Sequence, residues 1–145
     1  SAHDERLALA RHTPLPAAGV PYQEEDALQR DSHAEIMARE SLCPDGAVAW
    51  AFFFHTPNGG KRPYGEAGKL FSMGVKSGVP DWQYPFACGR WSGLAIELKS
   101  AAGRLSVDQA RWLDAFQTRG WLTAVVTSLE EFRAVLNLFE QGGEA

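Results

Sequence analysis

Residues 93–100 read GLAIELKS, in which Leu94, Ile96 and Leu98 alternate with Ala95, Glu97 and Lys99. That is the period-2 pattern of a strand with one apolar face and one face carrying an acid and an amine. WLTAVVT at 121–127 is a second apolar stretch of strand length. AVAWAFFFH at 47–55 is a third, rich in aromatics and expected to be a central strand. SGVPDWQYPF, 77–86, puts Pro80-Asp81 at a turn or strand start, and CGRWSG connects it as a hairpin to the GLAIELK strand. Between these runs the spacing becomes helical. Glu25, Leu28, Gln29, Ser32 and Ile36 share one face of a helix over 23–42. A short helix over 66–76 is weakened by Gly68 and Gly74. Ser106 caps a helix over 107–119 that Gly120 ends, and Ser128 caps an amphipathic helix running to about Phe139. DERLALARH, 4–12, suits a short helix, and 13–22, with three prolines, suits a linker or extended arm. The predicted order is helix, strand, helix, strand, strand, helix, strand, helix: a mixed α/β domain over 23–140 around one sheet, with an arm at 1–22 and a frayed tail at 141–145.

Composition narrows this little. With 145 residues, 45% hydrophobic and 22% charged, the chain suits one domain with a real core. No apolar run reaches membrane-spanning length, and the first residues lack a signal-peptide pattern, so no membrane partner is expected. Cys43 and Cys88 are read as free thiols in a reducing cytoplasm. The net charge of −4 argues against a general nucleic-acid binder, but it is uneven: residues 55–125 carry nine bases and five acids between two acidic flanks. A basic middle is compatible with a local phosphate-binding surface or with ordinary solvated charge.

Candidate chemistry gathers at Asp81, Glu97 and Lys99. A hairpin can bring Asp81 beside Glu97, and two adjacent carboxylates repel unless a proton or a cation lies between them. Hard oxygen ligands on a strand suit Mg²⁺ or Mn²⁺. A neighbouring lysine can orient a water or stabilise charge on a phosphate, which together describes metal-assisted phosphodiester hydrolysis. Glu97 and Lys99 as a solvent-facing pair on an edge strand is the plainer alternative. Asn58-Gly59-Gly60 reads either as a tight turn or as a backbone nest which, with Lys61 and Arg62, contacts DNA phosphate. His55 is read as structural, and His3, His12 and His33 have no metal spacing. Trp82, Trp91, Trp112 and Trp121 are read as core or sheet-covering, with base stacking the alternative for Trp82 and Trp91.

Pro80-Asp81, fifteen residues, then Glu97-Leu98-Lys99 resembles the PD-(D/E)xK nuclease superfamily. HTPNGGKR at 55–62, GVKSGVPDW at 74–82, GLAIELK at 93–99, LSVDQARWL at 105–113 and, upstream, EDALQ at 25–29 resemble its VRR-NUC (virus-type replication-repair nuclease) branch. The resemblance implies a restriction-endonuclease-like core, a mixed central sheet flanked by helices. It implies Asp81 and Glu97 as metal-binding carboxylates, the Leu98 carbonyl in the metal shell, Lys99 as the catalytic lysine and Glu25 as a first-helix acid joining through metal or water. Gln109, which shares a helix face with Leu113 and Phe116, matches the glutamine after the ELK strand. Ser32 and His33 fill places where the family carries apolar residues, and Glu35 competes with Glu25 as the first-helix acid.

The expected function is a Mg²⁺- or Mn²⁺-dependent DNA endonuclease of a bacterial or phage-infected cell, acting on branched or junction DNA, with Lys61, Arg62, Lys69 and Lys76 gripping phosphate. Resolving a four-way junction takes two nicks, so a homodimer is expected. The alternative is a DNA-binding module of the same fold that cuts only with a partner.

Overall fold

The computed structural model describes residues 24–57 and 66–143. The arm at 1–22, the helix expected over 4–12 and the nest and bases at Asn58, Gly59, Gly60, Lys61 and Arg62 lie outside the described residues.

Leu94–Leu98 forms strand β3, an inner strand of a four-stranded sheet. Phe54–His55 is β1, Trp82–Tyr84 is β2 and Leu122–Val126 is β4, and the sheet runs β1-β2-β3-β4. β1, β2 and β3 pair antiparallel, while β3 and β4 run parallel and are joined through helix α3, Val107–Thr118. With β2 on one side and β4 on the other, β3 has no free edge, and all five of its residues are buried. The solvent-facing edge pair considered for Glu97 and Lys99 does not exist in this fold.

The alternation in GLAIELK sorts the sheet into two faces. Leu94 and Ile96 stand in register with Tyr84 and Trp82 on one side and with Leu122 and Ala124 on the other, and Leu98 with Val126. Helix α1, Glu25–Leu42, covers this apolar face with Leu28 and Ile36. Helix α4, Leu129–Glu140, adds Phe132, Val135, Leu136 and Phe139. Its Ser128 cap accepts from the Glu131 N–H at 3.2 Å, satisfying one of the orphan donors of a helix start. Ser32 is fully buried in this layer, and its hydroxyl makes no hydrogen bond. The second face carries Ala95, Glu97 and Thr123 and is covered by α3, whose Leu113 is fully buried.

The element order matches the predicted one, with one correction. Residues 47–55 are not a central strand. Trp50–Phe52 is a 3₁₀ turn, and only the two residues of β1 pair, at the sheet edge. The aromatics there are satisfied by packing instead of a ladder: Phe53 stacks on Tyr84 with ring centroids 4.7 Å apart, and Trp50 on Phe53 at 5.4 Å. Trp82 and Trp91 are in the core, which removes base stacking as their role. The tail from 141 does not fray at once, because Gly142 packs against Gly89 and accepts the Arg90 N–H at 2.9 Å. Cys43 and Cys88 are free. Among the described residues no helix is long and apolar enough to cross a membrane.

Candidate active site

Asp81 stands immediately before β2. Trp82 pairs with Ile96, so the antiparallel register carries Asp81 opposite Glu97, on the face that α3 covers. The Asp81 carboxylate is held by the Leu98 N–H, which donates to Oδ2 at 2.7 Å. Its backbone is held as well: the Thr56 N–H and His55 Nδ1 both donate to the Asp81 carbonyl, at 2.8 and 2.9 Å. A carbonyl only accepts, so this contact sets the proton of His55 on Nδ1.

Glu97 is 4% exposed. Its Oε1 accepts from Gln109 Nε2 at 2.9 Å and lies 3.8 Å from Lys99 Nζ. Its Oε2 is buried and no N–H or hydroxyl donor reaches it, while the Asp81 carboxyl lies within hydrogen-bonding reach of Glu97 when the pair shares a proton. A buried carboxylate oxygen left in this condition is costly and invites a proton or a cation. Burial, the repulsion of the Asp81 carboxylate and, more weakly, the hydrogen bond shared with Asp81 and the charge of Glu25 push the Glu97 carboxyl up to about 9, against the pull of the Lys99 ammonium. Burial raises Asp81 too, and the Leu98 N–H holds that rise back. Without a cation the pair therefore keeps a proton at neutral pH, shared between the two carboxyls.

Gln109 does two jobs with one side chain. Its Oε1 accepts from the Ser106 N–H at 2.8 Å, and its own N–H donates to Ser106 Oγ at 3.1 Å, closing a capping box at the start of α3. The amide oxygen is thus committed to the cap, which turns the NH₂ toward Glu97. Gln109 is thus a helix-start residue whose side chain also holds Glu97. Gly78 is a participant that the spacing did not reveal. It has φ +82°, and a Cβ there would meet Asp108 and the Gln109 nitrogen at 2.6–2.7 Å. Only glycine lets the Val79-Pro80-Asp81 approach lie against the first turn of α3. The signal was a glycine three residues before Asp81, whose reason is tertiary.

The two candidate first-helix acids separate. Glu35 is bound by Arg133 at 2.6 Å and Arg39 at 3.0 Å, and those guanidiniums hold its carboxyl below the usual range. It ties α1 to α4. Glu25 instead accepts from the Ser100 N–H at 3.2 Å, just past β3, and its charge reaches both Asp81 and Glu97. The structure thus brings together Asp81, Glu97, Leu98, Lys99 and Gln109, with Glu25 at the rim. Lys69, on helix α2 (Glu66–Ser72), and Lys76 are exposed.

Among the described residues no three His, Cys, Asp or Glu side chains form a closed metal cage. Two facing carboxyls, one with an oxygen that no N–H or hydroxyl reaches, nonetheless fit a hard cation that keeps much of its water, as Mg²⁺ does. A cation between Asp81 and Glu97 would take the place of the proton and give Oε2 a partner.

The sequence profile of the VRR-NUC domain matches residues 53–130, more than half of the chain and a span containing Asp81, Glu97, Lys99 and Gln109. Glu25 lies outside that match. A solved VRR_NUC domain protein is similar in fold, with a TM-score of 0.66 and 21% identity over 86% of this chain and 93% of that one. No curated protein matches. The mixed sheet with its β2–β3 hairpin and flanking helices is a PD-(D/E)xK-like fold, and the chain belongs to the VRR-NUC family of nuclease domains.

Proposed function

We propose that the chain is a metal-dependent endodeoxyribonuclease. The observation that carries this reading is the Asp81–Glu97 pair, with Asp81 half-buried and Glu97 buried, in which no N–H or hydroxyl donor reaches Glu97 Oε2. A protein that only bound DNA would have no use for two repelling carboxylates in its sheet. Asp81 and Glu97 would hold Mg²⁺ or Mn²⁺, with the Leu98 carbonyl and Glu25, directly or through water, completing the shell. When bound, the cation polarises the scissile phosphate and makes water a better nucleophile at neutral pH.

The chain's own residues do the rest. Gln109 fixes Oε1 of Glu97, so that Oε2 is the oxygen left for the cation. The Leu98 N–H fixes the Asp81 carboxylate in the same way. The Lys99 ammonium, beside Glu97, orients the attacking water and offsets the negative charge that grows on the phosphate oxygens. Water adds to phosphorus as the bond to one sugar oxygen breaks. The products are a phosphate monoester and a hydroxyl, and the proton of the water passes to solvent. Lys69 and Lys76, with the 58–62 stretch, bind flanking phosphates. The substrate is branched or junction DNA, and a homodimer supplies the two nicks a junction needs.

The test is a labelled panel of single strand, duplex, splayed arm, flap and four-way junction, each with Mg²⁺, Mn²⁺ or EDTA, and Glu97→Ala as control. Metal-dependent cutting that Glu97→Ala lacks is the expected result. DNA binding without cutting by either metal would replace the enzyme with a binding module.

A further inference from the structure

A groove of about 690 Å³ lies between Lys76-Ser77 and one side of α3, where Asp108, Arg111, Trp112, Asp114 and Ala115 line it. It is distinct from the carboxylate pair but adjoins it. Asp108 precedes Gln109, the residue that holds Glu97, and Ser77 precedes Gly78, which rests on Asp108 and Gln109. Its walls are tied at two points. Trp112 Nε1 donates to the Ser77 carbonyl at 3.0 Å, and the close approach of Gly78 to α3 fixes the other strand of chain. The groove is thus a built feature next to the reaction centre.

Its chemistry is mixed in a telling way. Two cations, Lys76 and Arg111, can meet a phosphate. Asp108 lies 3.7 Å from Arg111 in an exposed ion pair that a ligand phosphate would open; the carboxylates of Asp108 and Asp114 would repel a run of phosphates, but a carboxylate matches the exocyclic amino group of a base. Trp112 supplies an aromatic surface for stacking, and every base has a face to stack. The chain leading into Lys76 leaves Phe71 and Met73 exposed at 53% and 70%, outside the lining of the groove.

We propose that the Lys76–Trp112 groove binds one unpaired nucleotide next to the scissile bond, stacking its base on Trp112 and setting its phosphate by Lys76 and Arg111. This rests on the nuclease reading and deepens it: the substrate class becomes DNA with an unstacked nucleotide at the site of cutting.

The test uses the full chain in EDTA, where nothing is cut, with a blunt duplex and the same duplex carrying a short single-stranded overhang. 2-Aminopurine occupies the first unpaired position of the overhang. The expected result is tighter binding of the overhang than of the blunt duplex, with quenching of the 2-aminopurine. Trp112→Ala should weaken overhang binding by about 5- to 150-fold, the range for losing one base–aromatic stack. Because Trp112 also packs on Phe116, Trp112→Ala can disturb the fold. Ala115→Trp, which fills the groove from an exposed helix position, is the second variant and should abolish the quenching. Unquenched 2-aminopurine with the wild type, or equal weakening of both DNAs in the variants, would overturn the proposal and leave a groove that grips duplex phosphate. Mg²⁺-dependent cutting of any DNA in the five-substrate panel by the wild type, absent in Glu97→Ala, is scored separately, so loss of the groove proposal and loss of the nuclease reading stay distinguishable.

Discussion

The two faces of β3 differ in what they demand of the same five residues. Leu94, Ile96 and Leu98 belong to the hydrophobic core shared with β2, β4, α1 and α4. On the opposite face Glu97 is buried to a similar degree, yet it keeps an oxygen that no N–H or hydroxyl reaches and a second carboxyl across the strand. The first face stabilises the fold by removing hydrocarbon from water. The second costs stability in order to hold a charge-hungry site on a rigid support. The lesson is that burial alone does not mark a residue as structural. What a buried group lacks is the better guide.

The largest expected effect comes from neutralising the second face. Glu97→Gln keeps the shape and can still accept from Gln109, but it cannot serve as an anionic ligand. Cleavage should fall by about 10³-fold, the scale of losing a direct electrostatic contributor. Stability should move the other way. The folded Glu97 carboxyl is raised from 4.5 to about 9. Without metal, then, the native state holds a proton that the unfolded chain releases across that window, and wild-type stability falls as pH rises through it. Melting in EDTA should show Glu97→Gln matching the wild type near pH 5 and exceeding it at pH 8. A wild-type melt that is flat with pH would contradict this.

Breaking the first face should do the opposite. Ile96→Ala removes fully buried hydrocarbon beside Trp82 and Ala124 and should destabilise by about 2–5 kcal/mol in denaturant titration. What remains folded should still bind metal.

Gln109 couples the faces to the helix above them. Gln109→Ala should lose about 1 kcal/mol of helix capping and about 10- to 100-fold in metal affinity or rate, as removal of a group supporting a ligand does. Ser106→Ala loses the cap and leaves the Glu97 contact available, so it should show the stability change with little of the kinetic one. Equal kinetic losses in both would mean that Gln109 acts only through the helix.

The smallest effect is on the apolar face itself. Ser32→Ala removes a buried hydroxyl with no partner and should stabilise by about 1 kcal/mol, raising Tm by about 2–4 °C.

What could be read from the sequence was what local chemistry dictates. The alternation around Glu97, the Ser106 and Ser128 caps, and Leu28, Ser32 and Ile36 on one helix face all recur in the fold. The Asp81–Glu97 juxtaposition was legible because a hairpin register follows from spacing. Residues 47–55 misled because aromatic runs score as strand whether a ladder or ring packing satisfies them. Glu35 could be set apart from Glu25 only through Arg133, nearly a hundred residues away in the chain. Gly78 and the Trp112 groove depend on how the 77–81 stretch meets α3, a contact that no local pattern encodes.

Calorimetric titration of Mg²⁺ at pH 7, in two buffers of different ionisation enthalpy, tests the central claim most directly. If the cation replaces the proton held by Asp81 and Glu97, the wild type releases close to one proton per ion bound, affinity rises with pH, and Glu97→Gln releases none. Binding without proton release, or the same release from Glu97→Gln, would place the metal elsewhere and contradict the account.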